Sequence, residues 1–173
     1  AGVKIVTGDT KVVNKGSCDK LFITTTGIGS IDKKHLHISE GKSIQPGDCI
    51  IVNGSVGDHG MAIMSARNEL KLSAPLNSDC ASLNGLITCI KDTRAQIRFM
   101  RDATRGGLGT VITELCSKKD FGIDIDENEI PVREEVRGMC ELLGFDPIYV
   151  ANEGKVVLVV SAEDAERVLT AMQ

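Results

Sequence analysis

The chain has 173 residues, 42% hydrophobic and 25% charged, with a net charge of −4 and a pI near 5.4. That balance excludes a disordered polyelectrolyte and fits one large domain or one and a half. The acidic charge and the lack of any Lys/Arg run argue against nucleic acid; no apolar run is long enough for a membrane span and no export signal is visible, so a cytoplasmic protein is expected.

In chain order, KIVTGDTKVV at 4–13 and KLFITTTGIGSI at 20–31 are β-branched runs around a polar turn, which predicts two strands in a hairpin. HISEGKSIQPGD at 37–48 is a connection punctuated by Gly and Pro, and a domain boundary is expected there, dividing the chain into 1–38 and 39–173. CIIVNGSV is a short strand stopping at Gly57, and DHGMAIMSAR a short helix opening on the capping residue Asp58. From Asp79 to Asp92, Cys80, Leu83, Leu86, Ile87 and Ile90 recur at helical spacing. AQIRFM predicts a strand and RDATRGGL a loop, followed by a helix with the stripe Leu108, Val111, Ile112 and Leu115, reaching Lys118 or Lys119. FGIDID predicts a strand, EEVRGMCELLG a helix ended by Gly144, KVVLVVSA a strand, and AEDAERVLTAM a last helix.

This alternation implies an α/β fold, a mixed sheet layered by helices. A strand opening almost at Ala1 and a helix reaching Met172 predict a piece of a longer protein. The six cysteines form no C-x-x-C pair and no zinc-site spacing, so most are expected to be reduced and buried.

Chemistry concentrates in four places. In RDATRGGL, Asp102 and Thr104 offer oxygens to a metal or water, Arg105 offers a fork of donors to phosphate, and the Gly106 and Gly107 amides open a helix whose amino end suits an anion; a capped, tight turn is the plainer reading. In TGDTKVV, period two puts Asp9 and Lys11 on one side of a strand, suited to Mg²⁺ and to a phosphate oxygen, or simply to solvent. SVGDHG sets His59 behind Asp58 at a helix start, the only one of the three histidines in such a context. ANEGK carries Glu153, a general base if its environment tunes it and otherwise a surface carboxylate in a turn. Glu134 and Glu135 suit the first turn of their helix, and His35 and His37 carry no assigned role.

IVTGDTKVV, LFITTTGIG, NGSVGDHGMAIMS, RDATRGGL, IPVREEVRGMCELLGFDPIYVANEGK and AEDAERVLTAM, in this order and over nearly the whole chain, resemble the HypE family of hydrogenase maturation factors. That family lies within the superfamily of aminoimidazole ribonucleotide synthetase and selenophosphate synthetase. The resemblance implies a PurM-like carboxyl-terminal domain preceded by the last strands of an amino-terminal ATP-binding domain. It implies that a carbamoyl group, received from HypF on a terminal cysteine, is dehydrated with ATP and Mg²⁺ to a thiocyanate, whose cyanide passes to iron through the HypC and HypD complex. A homodimer is implied for the parent.

Carried over by position, Asp9 resembles a Mg²⁺/ATP acid with Thr10 beside it, and Asp102, Thr104, Arg105, Gly106 and Gly107 resemble a nucleotide loop. Lys11 and Glu153 resemble residues close to the reacting thiocarboxamide. The family loop normally has Pro where this chain has Ala103, which implies a slightly less rigid turn. The family's amino-terminal glycine-rich and acidic segments and its cysteine tail are not in this sequence, so the piece by itself is expected to be inactive. Two other readings stay open: a selenophosphate synthetase-like or kinase-like member of the superfamily, and a non-catalytic docking module for maturation partners.

Overall fold

The computed structural model describes residues 2–18, 20–67, 75–117 and 119–173. Three strands form its sheet: β1 (Cys49–Val52), β2 (Ile97–Asp102) and β3 (Val156–Val160). The order is β1-β3-β2, and β3 pairs antiparallel with both neighbours, Ile51 opposite Leu158 on one side and Met100 opposite Leu158 on the other.

A central strand covered on both faces has no polar side, which explains why β3 reads VVLVV and is buried at every residue. Its alternate side chains enter two cores. Val157 and Val159 pack with Val56, Phe99, Leu108, Val111 and Leu115, whereas Val156, Leu158 and Val160 pack with Ile51, Ile90, Ile97 and Val168. The first core is roofed by α4 (Gly107–Cys116), the second by α3 (Asn84–Asp92) and α6 (Ala165–Met172). A third cluster joins α2 (Asp58–Arg67) to α5 (Glu134–Leu143) through Met61, Val136, Met139, Cys140 and Val150. Gly144, left-handed at φ 72°, ends α5 as its position suggests. The α/β architecture with helices layered on a sheet is therefore as expected, although the pairings among the described residues are antiparallel throughout rather than mixed.

Several local expectations are corrected. The runs at 4–13 and 20–31 join no ladder, and every described residue from 2 to 34 except Cys18 is exposed. β propensity alone does not hold a hairpin; a strand needs a partner and a packed face. FGIDID forms no strand either, but Phe121 and Ile123 still point into the first core, so its alternation reflects packing without pairing. The predicted helix at Asp79 starts only at Asn84, because Asp79 is drawn into an ion pair with Lys155.

α4 ends at Cys116, short of the expected end, because Ser117 turns to an extended backbone and Lys119 is not helical; Lys118 lies outside the described residues. The connection at 37–48 contains a short helix, α1 (His37–Glu40), tied to β2 by His37 Nε2 at 3.2 Å from the Ile97 carbonyl. All six cysteines are free, yet Cys140 alone is buried; Cys80 and Cys89 are exposed. Among the described residues no helix is long and apolar enough to cross a membrane.

Candidate functional site

β2 delivers Arg101 and Asp102 to the sheet's edge, and the chain then turns through Ala103–Gly106 into α4. Asp102 pairs in the ladder with Val156 and keeps an exposed side chain; Arg105 is exposed, and Thr104 half-buried. Arg101 is held by an ion pair with Glu114 of α4. The ten-residue helix α4 has no acidic residue in its first turn and no side-chain cap, so its amino end keeps unneutralised N–H groups beside Thr104 and Arg105.

Gly106 and Gly107 are both left-handed, at φ 73° and 63°. The close approach that Gly107 permits is to the chain itself: a Cβ there would lie 2.5 Å from the Ile148 carbonyl oxygen and 2.6 Å from that of Val150. This packing brings the second half of the site alongside the loop.

Asn152, fully buried, joins the two halves. Its Nδ2 donates to the carbonyls of Ala103 (3.0 Å) and Val150 (3.1 Å), its Oδ1 accepts the Gly57 N–H (2.8 Å), and its own N–H donates to the Thr104 carbonyl (3.3 Å). The Ala103 N–H donates to the Lys155 carbonyl at 3.2 Å, a bond that a proline there would lack. Glu153 therefore sits in a turn fixed to the RDATRGGL loop.

Beside it Asp79, whose side chain is 3% exposed, accepts the Glu153 N–H at 3.0 Å and pairs with Lys155 Nζ, also at 3.0 Å. Burial disfavours the Asp79 carboxylate, but the Lys155 ammonium and the Glu153 N–H outweigh it and hold its pKa below the ordinary value. Gly154 is required there, since a Cβ would lie 2.0 Å from the Asp79 carbonyl oxygen.

Asp58, buried at the first position of α2, accepts from Ser55 Oγ at 2.7 Å and faces Arg133 Nε at 3.6 Å, so it links α2 to α5. Asp9, Thr10 and Lys11 lie on the exposed segment, where Asp9 Oδ1 accepts the Thr10 N–H at 2.8 Å; the structure does not bring them to the loop. Among the described residues no three His, Cys, Asp or Glu side chains form a metal-binding group. A cavity of about 710 Å³ between β1, α4 and residues 120–131 includes none of the predicted site residues.

Residues 45–173, which contain the three strands and α2 to α6, match the family described as AIR synthase related protein, C-terminal domain. The chain belongs to the AIR synthase related protein family.

Within that family its sequence is similar to carbamoyl dehydratase HypE of Azotobacter vinelandii, 50% identical over 173 residues that cover 100% of this chain and 50% of the relative. The chain thus spans about half the length of the curated relatives it matches. Two solved structures share its fold. A HypE–HypF complex is 46% identical with a TM-score of 0.71, covering 76% of this chain and 43% of the other. A hydrogenase maturation protein HypE in complex with ATP is 40% identical with a TM-score of 0.73, covering 78% and 40%.

For this AIR synthase related chain, sequence reasoning singled out Glu153 but missed Asn152 and Asp79. Asn152 stood in the same ANEGK motif, and an Asn beside a glycine turn was the available signal. Asp79 had no such signal, because a polar residue before an apolar stripe reads as a helix cap.

Proposed function

We propose that the chain is part of an ATP-dependent carbamoyl dehydratase of nickel–iron hydrogenase maturation, with Glu153 as its base. The observation that carries this reading is the hydrogen-bonded junction of Asn152, which fixes the Glu153 turn against the open amino end of α4. The similarity to proteins named carbamoyl dehydratase HypE supports it.

In the proposed reaction the amide oxygen of an S-carbamoyl cysteine takes the γ-phosphoryl group of ATP. ADP leaves as that O–P bond forms and Glu153 accepts one proton from the amide nitrogen; the C–O bond then breaks, the departing phosphate carries off the second N–H proton, and the thiocyanate remains. Thr104, Arg105 and the Gly106–Gly107 amides would bind nucleotide phosphate, with Asp102 beside them, and positioning of this kind supplies much of the rate. Lys11 would neutralise the reacting oxygen, and Asp9, with Thr10, would meet the metal and nucleotide, once the exposed segment that holds them apart from the loop packs in the full-length protein. A single carboxylate fits Mg²⁺, which completes its shell with phosphate oxygens and water and needs no all-protein cage.

We divide the chain into 1–38, the end of an amino-terminal ATP-binding domain, and 39–173, the carboxyl-terminal domain; the family match from residue 45 supports this. Exposed Val3, Ile5, Val6 and Val12 support pairing of the first segment in a homodimer. HypF as carbamoyl donor, the HypC and HypD complex as cyanide acceptor, and a cytoplasmic location complete the reading; a solved HypE–HypF complex supports the first.

The test is mass spectrometry of the full-length parent with HypF, carbamoyl phosphate and ATP. The carbamoyl adduct on the terminal cysteine is expected to lose one water only when ATP is present. Glu153→Gln should slow that loss by about 100-fold or more while the adduct still forms. An unmodified parent whose carbamoyl adduct persists with ATP would sink the proposal.

A further inference from the structure

One histidine faces Glu153. His59, the second residue of α2, places its Nε2 3.8 Å from Glu153 Oε1, while its Nδ1 lies 2.8 Å from Ser78 Oγ. We infer that His59 is a positioning residue for Glu153, with Ser78 setting the tautomer that faces the carboxylate. This deepens the reading of Glu153 as a base and rests on it.

The backbone of Glu153 is fixed by Asp79 and Asn152, but its side chain is 39% exposed and free to rotate unless something holds it. The ring of His59 is 23% exposed, half-covered beside that carboxylate. Ser78 Oγ already accepts the Cys80 N–H at 3.2 Å, so one lone pair is engaged and its proton is available to Nδ1. A neutral imidazole that accepts at Nδ1 carries its proton on Nε2, directed at Glu153. The opposite tautomer would set a lone pair against the carboxylate.

Among the described residues, Asp58 is turned to Ser55 and Arg133, and Asp79 to Lys155, while Glu153 is the carboxylate paired with the ring. At 3.8 Å the contact is longer than a hydrogen bond, the looseness common to catalytic pairs before substrate is bound. It restrains the carboxylate electrostatically and tightens when the amide arrives.

The experiment uses the full-length protein carrying this chain, preloaded with the carbamoyl group. His59→Leu should slow the ATP-dependent loss of water by about 10- to 100-fold, the scale of a misplaced catalytic group, with ATP affinity unchanged. His59→Gln, which returns an N–H donor near the Nε2 position, should recover most of the rate; a merely structural role would not be rescued in this way.

Histidine ring ¹⁵N spectra supply a readout that needs neither turnover nor a folded His59 variant. Native His59 should show the Nε2–H tautomer, and Glu153→Gln should shift it toward a mixture. A wild-type rate in His59→Leu, or a ring spectrum indifferent to Glu153→Gln, overturns the inference while leaving Glu153 as base. A wild-type rate in Glu153→Gln itself removes the base, and this inference with it.

Discussion

Gly107 illustrates how one residue can belong to a ligand-binding loop and to the core beneath it. Its left-handed φ of 63° already disfavours a side chain, and a Cβ would meet two backbone carbonyl oxygens at 2.5 and 2.6 Å, neither of which can rotate away. Gly107→Ala should therefore cost about 3 kcal/mol, combining the left-handed penalty with overpacking, measured as a lower urea midpoint. Gly106→Ala meets only the Thr110 side chain, at 2.2 Å, which can change rotamer, so its cost should be about half as large. Equal effects at both glycines would show that the conformation matters and the 148–150 contact does not.

At the scale of elements, the segment before α3 and the turn before β3 are held by one carboxylate. Lys155 is 10% exposed and Asp79 3%, so neither charge is left to solvent. The folded pKa of Asp79 lies below its ordinary value of 3.8, so the pair's stabilisation is fully present above that value and is lost as pH falls through the folded one. Asp164 acts in the same direction, held mainly by the Gln96 N–H at 2.6 Å, and ties α6 to β2.

Asp79→Asn should flatten the fall of the urea midpoint as the pH drops below 3.8, the ordinary carboxylate value. At neutral pH it should cost about 3 kcal/mol, because it leaves a buried ammonium unpaired. An acid limb unchanged by Asp79→Asn would assign the acid sensitivity to Asp164 and its neighbours.

Across the whole molecule, packing is confined to the region after residue 34. Ile5, Val12, Leu21, Phe22 and Ile28 are exposed, and no described residue from 2 to 32 belongs to the three core clusters. Deleting residues 1–31 should leave the unfolding free energy of the remainder within about 0.5 kcal/mol, the range of surface changes, as measured by urea melts. A loss of several kcal/mol would mean that these residues pack on the sheet in solution. The same exposure explains why Asp9 and Lys11 looked like site residues in the sequence yet stand apart from Glu153: a short motif carries its chemistry but not its position.

The sequence by itself determined the helical stripes of α3, α4 and α5, the doubly buried β3, the Gly144 stop and the family order of motifs. Apart from the motif order, which spans the chain, each of these is written within about 11 to 18 residues, the range over which periodicity and caps act. Tertiary structure decided which runs became strands, because a ladder is a property of two segments, and VVLVV found partners where KIVTGDTKVV did not. It also decided the junctions of the candidate site. Asn152 reaches Gly57 across 95 residues and Ala103 across 49, and Glu153 reaches Asp79 across 74. Such contacts depend on the path of the whole chain, so no local pattern announces them.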